Sequence, residues 1–119
     1  MNIISIILTM LVAVLFFYIM YLETFATDSD STSRVFNISK VELKRPNLNT
    51  LFKNQGVYNG LLGVALLYGS FMSKNPKEIV GMLLVYIIFV AIYGGLTSDK
   101  KIILKQGGLS ILALISLFF

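Results

Sequence analysis

Cysteine, histidine and tryptophan are absent from this 119-residue sequence, and proline occurs only at Pro46 and Pro76. Without cysteine or histidine there are no disulfides, no thiolate or imidazole metal sites, and no Ser-His or Cys-His nucleophile systems. Charge is scarce too: six carboxylates stand against ten basic residues, for a net charge of +4. No basic patch carries interleaved aromatics, so no nucleic-acid partner is expected. What the chain has in abundance is apolar surface, with 56% hydrophobic residues and a positive mean hydropathy. That is too apolar for an ordinary soluble domain of this length. The expected class is a single all-α integral membrane domain covering residues 1–119.

About 20 helical residues cross the ~30 Å hydrocarbon layer. Residues 3–22 are apolar except for Ser5, Thr9 and two tyrosines, and form a first span. No basic residue precedes this run and no small-residue cleavage pattern follows it, so a retained helix is expected rather than a signal peptide. Asn54 to Ser73 is a second apolar run, Ile79 to Ser98 a third, and Ile102 to Phe119 a fourth. Helices are therefore expected over about residues 2–26, 50–73, 78–98 and 101–118, as an antiparallel four-transmembrane-helix bundle. The polar cluster Thr27 to Ser33 opens a connecting segment of about 27–49. Within it, Ser39-Lys40-Val41-Glu42 has capping-box spacing and Pro46 stops the short surface helix that it starts. That helix lies either against anionic head groups or in solvent.

Basic residues set the orientation. Arg34, Lys40, Lys44, Arg45, Lys53, Lys100, Lys101 and Lys105 fall on one side, and only Lys74 and Lys77 on the other. The expected topology is both termini outside, with segment 27–49 in the cytosol of a multi-pass plasma-membrane protein. The Asn37-Ile38-Ser39 sequon is discounted on that ground.

Polar residues gather at the cytosolic ends of the spans. The heptad Asn54-Gln55-Gly56-Val57-Tyr58-Asn59-Gly60 places three amides, a phenol and two glycines at the start of the second helix. At the same depth lie Glu23 at the end of the first helix, Tyr93 and Thr97 at the end of the third, and Gln106 near the start of the fourth. Gln55 and Asn59 share a face, as do Tyr93 and Thr97, and Asn59 could bond Gln106 across the bundle. Gly56 and Gly60 form a small-xxx-small pair, extended by Gly63, and Gly94-Gly95 and Gly107-Gly108 are further packing surfaces. Two readings of the amides stand. They are hydrogen-bonded interhelical glue, or they line a cytosol-facing cavity for a small molecule, lipid head group or ion. Glu23 faces head-group water, pairs with Lys101 or Lys105, or accepts bonds from the second helix's amides.

The segments Tyr18-Ile19-Met20-Tyr21-Leu22-Glu23-Thr24-Phe25, Asn54 to Gly60, Tyr93-Gly94, Lys101-Ile102 and Gln106-Gly107 resemble the small four-helix bacterial membrane proteins catalogued as domain of unknown function 1304. The resemblance covers nearly the whole chain and implies a plasma-membrane location, with no activity or ligand attached. It also implies an acidic residue and a histidine where Leu15 and Phe16 stand here, and a tryptophan where Thr27 stands.

The leading function is binding or transport of a small polar or amphiphilic ligand in a cytosol-facing pocket, built from Glu23, Asn54, Gln55, Tyr58, Asn59, Tyr93 and Gln106. The alternative is a structural or accessory protein that packs against a copy of itself or a partner through its glycine faces. An enzyme would have to rely on Glu23 as its acid or base, without histidine, cysteine or a second nearby carboxylate. No catalysis, metal or cofactor is expected.

Overall fold

The structure is a computed structural model and describes residues 1–98 and 101–119. The turn expected to carry Lys100 lies outside the described residues. Among the described residues six α-helices follow in order: α1 (Ile3–Met20), α2 (Asp30–Phe36), α3 (Lys40–Leu43), α4 (Pro46–Phe71), α5 (Pro76–Thr97) and α6 (Lys101–Ser116). Among the described residues there is no strand.

Local chemistry fixes most boundaries. Asn2 caps α1, its Oδ1 accepting from the Ser5 N–H at 2.8 Å, so one of the first turn's orphan donors is satisfied. At its other end α1 runs without a break into one π-helical turn, Tyr21–Phe25. Ser29 and Ser39 cap α2 and α3 by accepting the Thr32 and Glu42 N–H groups, each at 3.2 Å. Asn37 ends α2 in the left-handed region at φ 55°, a conformation that asparagine tolerates better than most side chains. Pro46 and Pro76 occupy the first turns of α4 and α5, where a missing N–H does no harm.

The expected short surface helix is α3. A second helix, α2, also forms in the connecting segment, and α4 starts at Pro46, about one turn before the expected boundary. Segment 27–49 is therefore not a solvated loop. Its Phe36 and Leu43 are buried and cluster with Ile19, Leu22, Phe52 and Ile102.

The four long helices pack in a circuit, α1 against α4 and α6, and α5 against α4 and α6. Val12, Phe16, Leu66, Leu84 and Ala113 build the main core between them. Among the described residues, two stretches are long and apolar enough to cross a membrane, residues 3–25 and 76–97.

The α1–α4 contact is close because α4 presents Gly56, Gly60 and Gly63 to Thr24, Met20 and Phe17. A Cβ at Gly56 would collide with Thr24 Oγ1 and lie 3.0 Å from both the Thr24 backbone nitrogen and Glu23 Cβ. One at Gly60 would meet the Met20 sulfur, the far end of a flexible side chain. The other glycines differ in use: Gly94 faces Ile103 and Gly107 faces Ala91, whereas Gly108 has nothing within 4 Å.

Two outcomes follow. Gly56→Ala should destabilise the protein by about 1–3 kcal/mol, the usual range for overpacking against a rigid neighbour, and Gly60→Ala by less because Met20 can move. Thermal unfolding of the two variants in one detergent measures the difference. The second concerns Asp30 and Lys40, which form an exposed ion pair at 2.9 Å. The Lys40 ammonium, by hydrogen bond and charge, holds the Asp30 carboxyl below its ordinary 3.8, and Asp30 raises Lys40 above 10.5. The pair's contribution is therefore complete between pH 3.8 and pH 10.5. It is lost as pH falls through the lowered Asp30 value or rises through the raised Lys40 value. The melting temperature should fall slightly in Lys40→Gln within that window, most at low salt, and match wild type in acid below it.

Candidate functional site

The site begins with the π turn. Its signature is the Ala26 N–H, which reaches back five residues to Tyr21 O at 2.9 Å. A π turn holds an extra residue and frees carbonyls that an α-helix would use, and such turns recur at functional sites. Threonine hydroxyls satisfy those carbonyls here. Thr27 Oγ1 donates to Glu23 O at 2.7 Å, and Thr32 Oγ1 lies 3.0 Å from Leu22 O and 2.6 Å from Ala26 O. Thr24 Oγ1 donates to Lys53 O at 3.0 Å, tying the turn to α4.

This scaffold fixes Glu23 as a buried side chain, 4% exposed. Asn59, itself buried, donates from Nδ2 to Glu23 Oε1 at 2.6 Å. A buried carboxylate demands donors, and the Asn59 amide of α4 supplies one. Asn59 thus bonds Glu23, not Gln106 across the bundle. Lys101 and Lys105 line a separate notch.

Beside the pair lies a cavity of about 600 Å³ whose walls come from α1, α2, α4, α5, α6 and the π turn. Glu23, Gln55, Tyr58, Asn59 and Gln106 all line it. Asn54 and Tyr93 do not: Asn54 is exposed, and Tyr93 is 72% exposed, directed away from the cavity. The reason is helical phase. Gln55, Tyr58, Asn59 and Leu62 follow i, i+3, i+4, i+7 spacing on one face, from which Asn54 is turned by one residue, about 100°. Gly94 on α5 faces the cavity and its neighbour Tyr93 is turned away by the same step. Thr97 bonds its own helix, donating to Tyr93 O at 2.9 Å.

Tyr86, Val90 and Gly94 of α5 are wall residues that the sequence reading missed, although 86, 90 and 94 repeat every four residues, a signal of one face. The apolar remainder includes Phe16, Leu48, Leu62 and Ile87. Phe16 stands where the family resemblance implies an ionisable residue, so this wall is apolar here.

The opening also differs from expectation. At the end covered by the connecting segment, Phe36 and Phe52 are buried and meet edge to face with centroids 5.3 Å apart, which closes the axial route. The exposed lining residues, Leu51, Gln55, Tyr58, Tyr86 and Val90, all belong to α4 and α5. The cavity therefore opens sideways, between those two helices, rather than toward the segment 27–49 side.

Chemically, the walls offer one carboxylate, three amides and two phenols around an apolar volume. That set can orient a ligand by hydrogen bonds and cover its hydrocarbon. Among the described residues no group of three or more carboxylates, histidines or cysteines could hold a metal ion.

A sequence profile described as "Protein of unknown function (DUF1304)" matches residues 10–118. The chain belongs to this DUF1304 family. It is also similar to "Uncharacterized protein YpaA" of Lactococcus lactis subsp. lactis (strain IL1403), with 66% identity over 119 residues and the full length of both chains covered. No solved structure matches. The DUF1304 match takes in the π turn, the glycine heptad and the cavity walls on α4, α5 and α6, so the site lies within the shared region.

Asn59→Leu removes the amide that the buried carboxylate uses and should destabilise the protein by about 2–3 kcal/mol. Glu23→Gln keeps an oxygen acceptor for Asn59 and should cost less. Equal losses of melting temperature in the two variants would contradict the pairing.

Proposed function

We propose that this DUF1304 protein is a multi-pass plasma-membrane protein that binds, and moves, a small amphiphilic ligand through the cavity between α4 and α5. On this reading all four long helices cross the bilayer as an antiparallel bundle, with both termini outside and α2 and α3 at the cytosolic face. The eight-to-two bias of basic residues supports that orientation. The molecule's longest dimension of 46 Å suits a bilayer of about 40–45 Å including head groups. Exposed apolar side chains such as Val14, Phe89 and Leu96 would face lipid.

One observation carries the ligand reading: a buried, hydrogen-bonded Glu23–Asn59 pair on the wall of an otherwise largely apolar cavity that opens sideways. Its carboxylate favours a head group that donates hydrogen bonds, such as an amine or alcohol, over an anion. Its phenylalanine and leucine walls favour a hydrocarbon body. Sideways access would admit a ligand dissolved in the bilayer. The glycine-face alternative finds less support, since α1 already occupies Gly56, Gly60 and Gly63.

Octylamine, octanol and octanoate probe the reading through thermal unfolding of the purified protein. Octylamine and octanol should raise the melting temperature above octanoate. At about 100 times the dissociation constant the gain is ~2.7 kcal/mol. Leu62→Trp, which fills the cavity, should abolish the difference. Equal shifts from all three compounds, or a difference that survives Leu62→Trp, would refute it.

A further inference from the structure

A second concavity, of about 500 Å³, lies where α2 packs against the start of α6. Three cationic side chains line it: Arg34 from α2, and Lys101 and Lys105 from α6. Tyr18 and Asn37 also line it, and among the described residues no carboxylate does. Asp30, on the same short helix as Arg34, is engaged by Lys40 at 2.9 Å.

Lys101 and Lys105 are one helical turn apart and leave the same face of α6. The fold then brings Arg34 to that face from a separate element. Gathering three like charges around one concavity is unfavourable in isolation and becomes favourable when an anion sits among them. Phosphate suits the set, since a guanidinium can engage two of its oxygens in a fork while ammonium groups add point charge.

The notch is not an isolated charged spot. Tyr18 on its wall is also the last member of an exposed apolar stripe on α1, formed by Ile4, Ile7, Leu11, Val14 and Tyr18. Their spacing of three and four residues puts them on one face of the helix. A cationic notch continuous with an apolar stripe complements a molecule that has a phosphate at one end and hydrocarbon at the other.

We propose that this notch seats the phosphate of an anionic phospholipid, with an acyl chain lying along the Ile4 to Tyr18 stripe of α1. The site rests on membrane embedding but not on a ligand in the α4–α5 cavity. By the distribution of basic residues it lies at the cytosolic leaflet.

Native mass spectrometry of the full chain in detergent, titrated with phosphatidylglycerol or phosphatidylcholine of identical acyl chains, tests this. Retention of phosphatidylglycerol should exceed that of phosphatidylcholine at least tenfold, since each Lys or Arg near an anionic lipid surface contributes about fivefold. The triple variant Arg34→Gln/Lys101→Gln/Lys105→Gln should bring the two lipids level. A matched loss of charge elsewhere, Lys44→Gln/Lys53→Gln/Lys77→Gln, should leave the preference intact. Val14→Gln should weaken retention of phosphatidylglycerol by breaking the stripe. Equal retention of both lipids by wild type, or equal loss in the two triple variants, would overturn the proposal. Displacement of phosphatidylglycerol by millimolar inorganic phosphate would overturn it too, in favour of a soluble phosphate ligand. Glu23→Gln should alter the octylamine response and leave lipid retention unchanged, so the two sites fail separately.

Discussion

The hydrogen bond from Asn59 to Glu23 is the constraint around which the polar end of this protein is arranged. A carboxylate that is almost wholly removed from solvent must be supplied with donors, and supplying them dictates how close α1 and α4 come and in what register. The glycines of the Asn54 to Gly60 heptad make that approach sterically feasible. Gly56 sits directly against the Glu23-Thr24 backbone, three residues before Asn59, so the contact and the hydrogen bond are set by the same turn of α4.

The connecting segment completes the arrangement. Its Thr27 and Thr32 hydroxyls occupy carbonyls at the end of the first helix, and its Phe36 seals the space beneath the cavity against Phe52. A stretch rich in serine, threonine and aspartate thus has two uses. It ends α1 by offering the backbone alternative partners, and it folds back as α2 to cover apolar surface. Polar composition alone suggests only the first.

Much of this was legible in the sequence. Long apolar runs gave the main helices and the capping box at Ser39 gave α3, whereas Pro46, read as the stop of that short helix, also opens α4. The heptad stood out as a candidate because amides are rare in so apolar a chain, and five of the seven candidate residues line one cavity. Asn54 and Tyr93 were misassigned because shared depth along the helices was taken for a shared direction around them. Depth follows from counting residues from a helix end, whereas direction needs the helical phase, and a one-residue step turns a side chain by about 100°. The sideways opening was beyond sequence reach for a different reason: it depends on Phe36 meeting Phe52 from a segment whose helix α2 has weak apolar periodicity.

The π turn from Tyr21 to Phe25 bears on how this chain can change over time. An ordinary α-helix carrying the same number of residues through that interval would turn every side chain beyond it by roughly a quarter turn relative to the first 20 residues. Thr27, just beyond the turn, would then be carried away from the Glu23 carbonyl it now bonds, while the apolar span before it stayed unaltered. Single-residue insertions and deletions are usually absorbed in loops, and here the chain accommodates its additional residue inside a membrane-length helix. The winding of that interval, as much as the identity of its residues, sets where the carboxylate and its bracing threonines stand on the cavity wall.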